Sequence, residues 1–192
     1  MLRQQRPAAT GQPCLCLADF IRPLSSGQRD RIGVFAATVD KAMETDYQDD
    51  TFFGLLAQTL ADRLAEATVD LLHENIRKYD WGYAPDEHLT VEQLHREEFQ
   101  GIRPAIGYPS LPDTSVNFVL EDLLGMSHIG ITLTESGMMV PHASVSGLMI
   151  AHPKAHYFSL GHIGEDQLAD YARRRGLPVD TVRTYLSSSL MK

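Results

Sequence analysis

The chain has 192 residues, with 17 Lys and Arg against 25 Asp and Glu and a formal net charge of −8. At 43% hydrophobic and 22% charged residues, it has the composition of a globular protein large enough to bury a core without a metal or disulfide staple. The negative charge argues against nonspecific nucleic-acid binding, no apolar run approaches the roughly 18 residues of a membrane span, and the N-terminus MLRQQRPAATGQPC lacks the apolar centre of a secretion signal.

Residues 1–13 carry Arg, Gln, Pro, Gly and Ala without periodicity and read as an extended lead-in. Cys14 and Cys16 are too close for an unstrained bridge and too few for a zinc cluster, so they read as reduced thiols of a cytoplasmic protein. Residues 14–21, CLCLADFI, read as a short strand. IGVFAATV at 32–39 is an apolar, β-branched run that fits a strand buried on both faces. From 51 to 79, Phe53, Leu56, Leu60, Leu64, Ala67, Leu71, Leu72 and Ile76 fall at helical spacing, after an acidic tract and before Gly82 and Pro85. A second helix begins at Thr90, where T-x-x-Q with Gln93 makes a capping box. Residues 101–113, GIRPAIGYPSLPD, hold two glycines and three prolines and form no regular element. A helix capped by Asp113, Thr114 or Ser115 then runs to Gly125. Strands are expected at 129–135 and 143–151, followed by a turn at 152–155 and a return strand at 156–163. Helices over 165–175 and from Pro178 to Leu186 close the chain. Without regular βα alternation, the pattern predicts one α+β domain with a twisted, mostly antiparallel sheet and flanking helices.

Phosphate-loop, dinucleotide, nucleophile-elbow and H-E-x-x-H motifs are absent; His73-Glu74 lacks the second histidine. His152 and His156 straddle the predicted turn, but two histidines without a third ligand do not predict a metal site. The informative segment is Arg103-Pro104-Ala105-Ile106-Gly107-Tyr108-Pro109. Two prolines stiffen it, Gly107 lets the backbone come close to a neighbour, Arg103 offers a planar fork for a carboxylate or phosphate, and Tyr108 adds a ring and a hydroxyl. These features describe a small-ligand clamp with free backbone amides. They equally describe a rigid connector whose Arg103 pairs with Glu97 or Glu98. In the segment 134–147, Ser144, Ser146 and Gly147 read as a strand packed closely against another backbone.

RPAIGYPSLPD, LTESGMMVPHASVSG and HPKAHYF, in this order and spacing, resemble the C-terminal activation domain of cobalamin-dependent methionine synthases. CLADF, IGVFA, LADRLAEA, LHENIRK, WGYAPDE and DYARRRG extend the resemblance over nearly the whole chain. It implies an α+β fold that binds S-adenosylmethionine (AdoMet) and serves to rescue oxidised cobalamin within the enzyme that methylates homocysteine. It also implies that 1–192 is this domain without its N-terminal part, inactive alone, with no catalytic residue and no metal ligand of its own. Cobalamin would enter only through the neighbouring domain, and the partners would be that cobalamin-binding domain and a flavodoxin-like electron donor. By motif, Arg103 would meet the AdoMet carboxylate, Ala105, Gly107 and Tyr108 would line the site, and Tyr157 and Phe158 would lie near the adenosine. Glu66 and Glu97 are further contacts to the ribose hydroxyls or the sulfonium. Two departures stand out: Thr114 replaces a histidine of the family pattern, and Phe158 occupies a position where relatives can carry tyrosine. The alternative is a docking module without AdoMet binding, with Arg173, Arg174 and Arg175 facing an acidic flavoprotein.

Overall fold

A computed structural model describes residues 1–6, 9–47 and 49–191. Strand β1 (Gly33–Thr38) pairs antiparallel with β4 (Ser144–Met149), in the register Gly33 to Met149 through Thr38 to Ser144. Between them lie α1 (Ala42–Thr45), α2 (Thr51–Asn75), α3 (Val91–His95), α4 (Val116–Leu124) and a two-residue ribbon of β2 (Thr132–Leu133) and β3 (Met139–Val140). Helices α5 (Glu165–Arg175) and α6 (Val179–Tyr185) follow. The fold is α+β with antiparallel pairing, as the sequence predicts.

The β1–β4 pair is covered on both sides. Phe35, Ala37, Val145 and Met149 pack against Ala61, Ala65 and Val69 of α2. Leu148 and Ile150 turn the other way, toward Leu17, Phe20, Leu120 and Ile131. The alternation in β1 therefore splits its apolar residues between two cores, which explains a strand whose one polar side chain is the terminal Thr38. A third cluster joins Leu168 and Tyr171 of α5 to Val182, Leu186 and Leu2. Within the lead-in, Pro7 and Ala8 lie outside the described residues, while Gln4 N–H donates to Leu15 C=O at 2.8 Å and Arg3 pairs with Asp19 at 3.0 Å.

Local signals explain the helix ends. The Asp50 carboxylate accepts from Phe52 and Phe53 N–H at 2.9 and 3.0 Å at the start of α2. The Thr90–Gln93 capping box forms as expected, at 3.3 and 2.9 Å. Gly125 and Gly176 take left-handed backbones after α4 and α5, the conformation that closes a helix and suits glycine. The entry to α4 falls to Asp113, whose carboxylate accepts from Ser115 N–H at 2.9 Å.

Several expectations are corrected. Residues 17–20 form a 3-10 turn rather than a strand, and the segment 129–135 contributes only Thr132–Leu133. The turn at 152–155 closes through Ala155 N–H to His152 C=O at 3.0 Å, but 156–163 does not return as a strand. It continues toward α5, where Leu160 and Ile163 enter the third core. His152 and His156 each lie beside the ring of Phe20, with centroids 6.0 and 5.7 Å from it. The largest correction concerns α2. Most of its large apolar stripe faces solvent, with Leu60 at 55% and Leu64 at 51% exposure; only its last turns, at Leu72 and Ile76, join the face that packs on the sheet, which is otherwise Ala61, Ala65 and Val69. Small side chains let the helix axis approach the strands, and leucines at those positions would hold it away.

Candidate functional site

Three elements converge beside the α2 face of the sheet. The loop after Gly101 lies along β4 as a strand-like edge: Ile102 pairs with Ile150, and Ala105 with Gly147. Gly147 makes this approach possible, because a Cβ there would stand 2.4 Å from Pro104 O and 2.8 Å from the Phe35 ring. The close approach therefore belongs to Gly147. At Gly107 an added Cβ would meet nothing within 4 Å, and the requirement there is its positive φ of 89°. The expected free amides are mostly committed: Arg103 N–H donates to the Tyr157 hydroxyl at 3.0 Å, Ile106 N–H to Ser146 C=O at 2.9 Å and Gly107 N–H to Leu111 C=O at 2.8 Å.

Loop, α2 and the segment after the 152–155 turn enclose a cavity of about 470 Å³. Arg103, Ala105, Tyr108, Tyr157, Phe158, Glu66 and Glu97 all line it, so every ligand contact expected from the sequence except Gly107 lines one cavity. Gly107 lies past Tyr108 in an adjoining hollow of about 440 Å³ that includes Asp62, Met139 and His142. A larger hollow, about 1010 Å³, opens beyond Tyr157 and Phe158 against Gln4, Gln5 and Leu15. The Arg103 cavity is the better candidate, because it combines apolar walls, aromatic rings and convergent charges.

The apolar walls are Phe35, Val69 and Val145, none of them singled out from sequence. Val69 was legible in principle, because it lies one helical turn beyond Glu66. Among the lining residues Arg103 is the one cation, set against Glu66 and Glu97. Neither Glu97 nor Glu98 holds its guanidinium. Asp70 does, one turn beyond Glu66 on α2, and the Phe99 ring lies under the guanidinium at 5.9 Å. Across the cavity mouth the Tyr108 hydroxyl donates to Glu66 at 3.0 Å. Burial, and then Glu66, push the Tyr108 phenol above its usual range; burial does the same to Tyr157. Both therefore keep their protons and act as hydrogen-bonding groups at neutral pH. Glu97 holds a left-handed backbone, φ 58°, just after α3. Glycine is usual at such a position, and the glutamate there brings a carboxylate to the cavity wall.

Under this site Phe99 also carries Arg77, at 4.5 Å. Arg77 is sealed by a bidentate pair with Glu87, and His73 donates or accepts at the Tyr83 hydroxyl at 3.2 Å. The arginine run of α5 is likewise engaged: Arg173 and Arg174 pair with Asp170 at 2.6 and 2.8 Å, and Arg175 pairs with Asp113 at 2.6 Å. Asp113 also accepts from the Tyr171 hydroxyl at 2.6 Å. Arg175 thus works inside the fold rather than in a basic docking patch. Thr114 hydroxyl donates to Ser136 C=O at 2.6 Å, a role within the scaffold.

A family model described as vitamin B12 dependent methionine synthase, activation domain, matches residues 1–176. Among solved structures, a crystal structure of the MetH reactivation domain bound to AdoHcy superposes with a TM-score of 0.89 at 45% identity. That match covers 100% of this chain and 60% of the solved chain, so the present chain spans about three-fifths of that relative's length.

Proposed function

The chain belongs to the vitamin B12-dependent methionine synthase activation-domain family, and from that premise we propose that the Arg103 cavity binds AdoMet. The observation that carries this reading is the convergence of Arg103, Glu66, Glu97, Tyr108, Tyr157 and Phe158 on one cavity of about 470 Å³. The donor set fits the ligand. Arg103 offers its planar fork to the carboxylate of the methionine moiety. Glu66 and Glu97 suit ribose hydroxyls or the positive sulfonium and ammonium groups. Tyr157 and Phe158 supply apolar faces for the adenine. The solved relative with this fold binds AdoHcy, which has the same carboxylate and adenosine. Ala105 lines the cavity with its backbone, and Gly107 acts indirectly by fixing the turn that presents Tyr108.

AdoMet bound here would supply the methyl group that rescues oxidised cobalamin in the neighbouring domain of the same methyltransferase. The residues of this chain bind, orient and shield that ligand and carry out no chemistry alone. The cobalamin-binding domain is then the partner in the same enzyme, and a flavodoxin-like protein is the electron donor. Two unbridged cysteines fit a cytoplasmic setting.

Titration calorimetry with AdoMet tests the reading. Heat of binding for the wild type, lost in Arg103→Ala, is expected. No heat from either protein would sink it.

A further inference from the structure

Three carboxylates on successive turns of α2 reach across to the opposite wall: Asp62 toward His142 at 3.8 Å, Glu66 to the Tyr108 hydroxyl at 3.0 Å, and Asp70 to Arg103. The third contact differs in kind. It occupies the one cation among the cavity-lining residues, the group to which a ligand carboxylate must bind if the site takes AdoMet.

The geometry points to Asp70 as a built-in competitor for Arg103, a carboxylate that holds the guanidinium in the free protein and yields to the carboxylate of an incoming amino-acid ligand. This inference rests on the AdoMet reading of the cavity. Arg103 is 18% exposed at its side chain and Asp70 59%, so the arginine is fixed in the wall while its partner is largely in water. An exposed carboxylate is easily rehydrated and contributes little through its ion pair. Arg103 keeps two other contacts: its backbone N–H donates to the Tyr157 hydroxyl at 3.0 Å, which fixes the main chain at this position, and its guanidinium lies over the Phe99 ring. Release of Asp70 would therefore free the fork without loosening it.

Sharing is disfavoured by charge. Glu66 and Glu97 already face the cavity, and Phe35, Val69 and Val145 make its walls apolar. With the ligand's sulfonium and ammonium set against Glu66 and Glu97, Arg103 alone would face both Asp70 and the ligand carboxylate, and one carboxylate would stay uncompensated beside those walls. The exchange also has a use. The empty site keeps its arginine oriented and paired, and a ligand lacking the carboxylate gains nothing by displacing Asp70. Asp70 then sets both the affinity for AdoMet and the preference for ligands that carry an amino-acid carboxylate.

The test is calorimetry of the wild type, Asp70→Asn and Asp70→Ala with AdoMet and with decarboxylated AdoMet, which keeps the sulfonium and adenosine. Both variants should bind AdoMet about three- to fivefold tighter, the scale of a half-exposed ion pair. Both should bind the decarboxylated ligand as the wild type does. Unchanged or weaker AdoMet binding would show that Asp70 is a bystander or a positioning residue, and an equal gain for both ligands would show that it opposes entry without reading the carboxylate. Either result overturns the exchange while the AdoMet site stands. If the wild type binds neither ligand, the AdoMet reading itself fails, and the exchange with it.

Discussion

Arg77 and Arg103 lie over the same ring, that of Phe99, at 4.5 and 5.9 Å from its centroid. Arg77 is 1% exposed and meets both oxygens of Glu87 through Nε at 3.0 Å. Arg103 opens onto a cavity, and its carboxylate partner is mostly in water. The same chemical pair thus serves two purposes, decided by burial. A sealed pair has no other partner available, and removing one member strands a charge. An open pair can exchange its carboxylate for another. Sealed arginines belong to the scaffold, and open ones are where a ligand can bind.

The comparison breaks if the sealed pair proves dispensable. Glu87→Ala leaves the Arg77 guanidinium buried and unpaired, and should lower stability by about 3–5 kcal/mol in urea unfolding. On the open side, Arg103→Lys puts a point charge in place of the fork. It should cost about 1–3 kcal/mol of AdoMet affinity by calorimetry, with the unfolding midpoint nearly unchanged. Equal binding by the lysine variant would remove the fork's role.

His73 sharpens the sealed side through pH. Burial, and then Arg77 and Arg103, press its imidazole down from 6.5 to about 3, so it stays neutral in the fold. In the unfolded chain it takes a proton near 6.5. Between these values the unfolded state binds more protons, so this contribution to stability is full above about pH 6.5 and is lost as the pH falls toward 3. By pH 5 the loss should reach about 2 kcal/mol relative to pH 7, and the difference between wild type and His73→Leu across that range isolates it. Parallel curves would mean that His73 is not buried as a neutral ring.

The smallest effect belongs to the exposed face of α2. Leu60→Ser should shift stability by no more than about 0.5 kcal/mol in this chain, because Leu60 is 55% exposed. A large loss would place that leucine against a buried partner.

Much of the site was legible in the sequence because its residues crowd into motifs. Arg103 through Tyr108 are contiguous, Tyr157 and Phe158 follow a turn marked by Pro153, and Glu66 and Glu97 sit in recognisable segments. The walls were less legible. Phe35 and Val145 read as core positions of strands, and only the antiparallel register sets their shared face beside the loop. Asp70 carried no motif at all. Its pairing depends on where Arg103 lies across the cavity, more than thirty residues away in sequence, and the plausible sequence partners Glu97 and Glu98 were not the ones used.

Local features follow from neighbouring residues alone: the Asp50 and Thr90 caps, the Gly125 and Gly176 helix ends, the apolar strand at β1 and the rigid proline-bounded loop. Each depends on residues within a few positions of one another, where backbone preference and short-range hydrogen bonds are decisive. Tertiary structure alone decided which face of α2 is inside. Both its leucine stripe and its alanine–valine stripe have helical spacing, and hydrophobicity favours the leucines. Close packing on the β1–β4 pair favours the smaller residues, and that choice turns Glu66, Val69 and Asp70 toward Arg103.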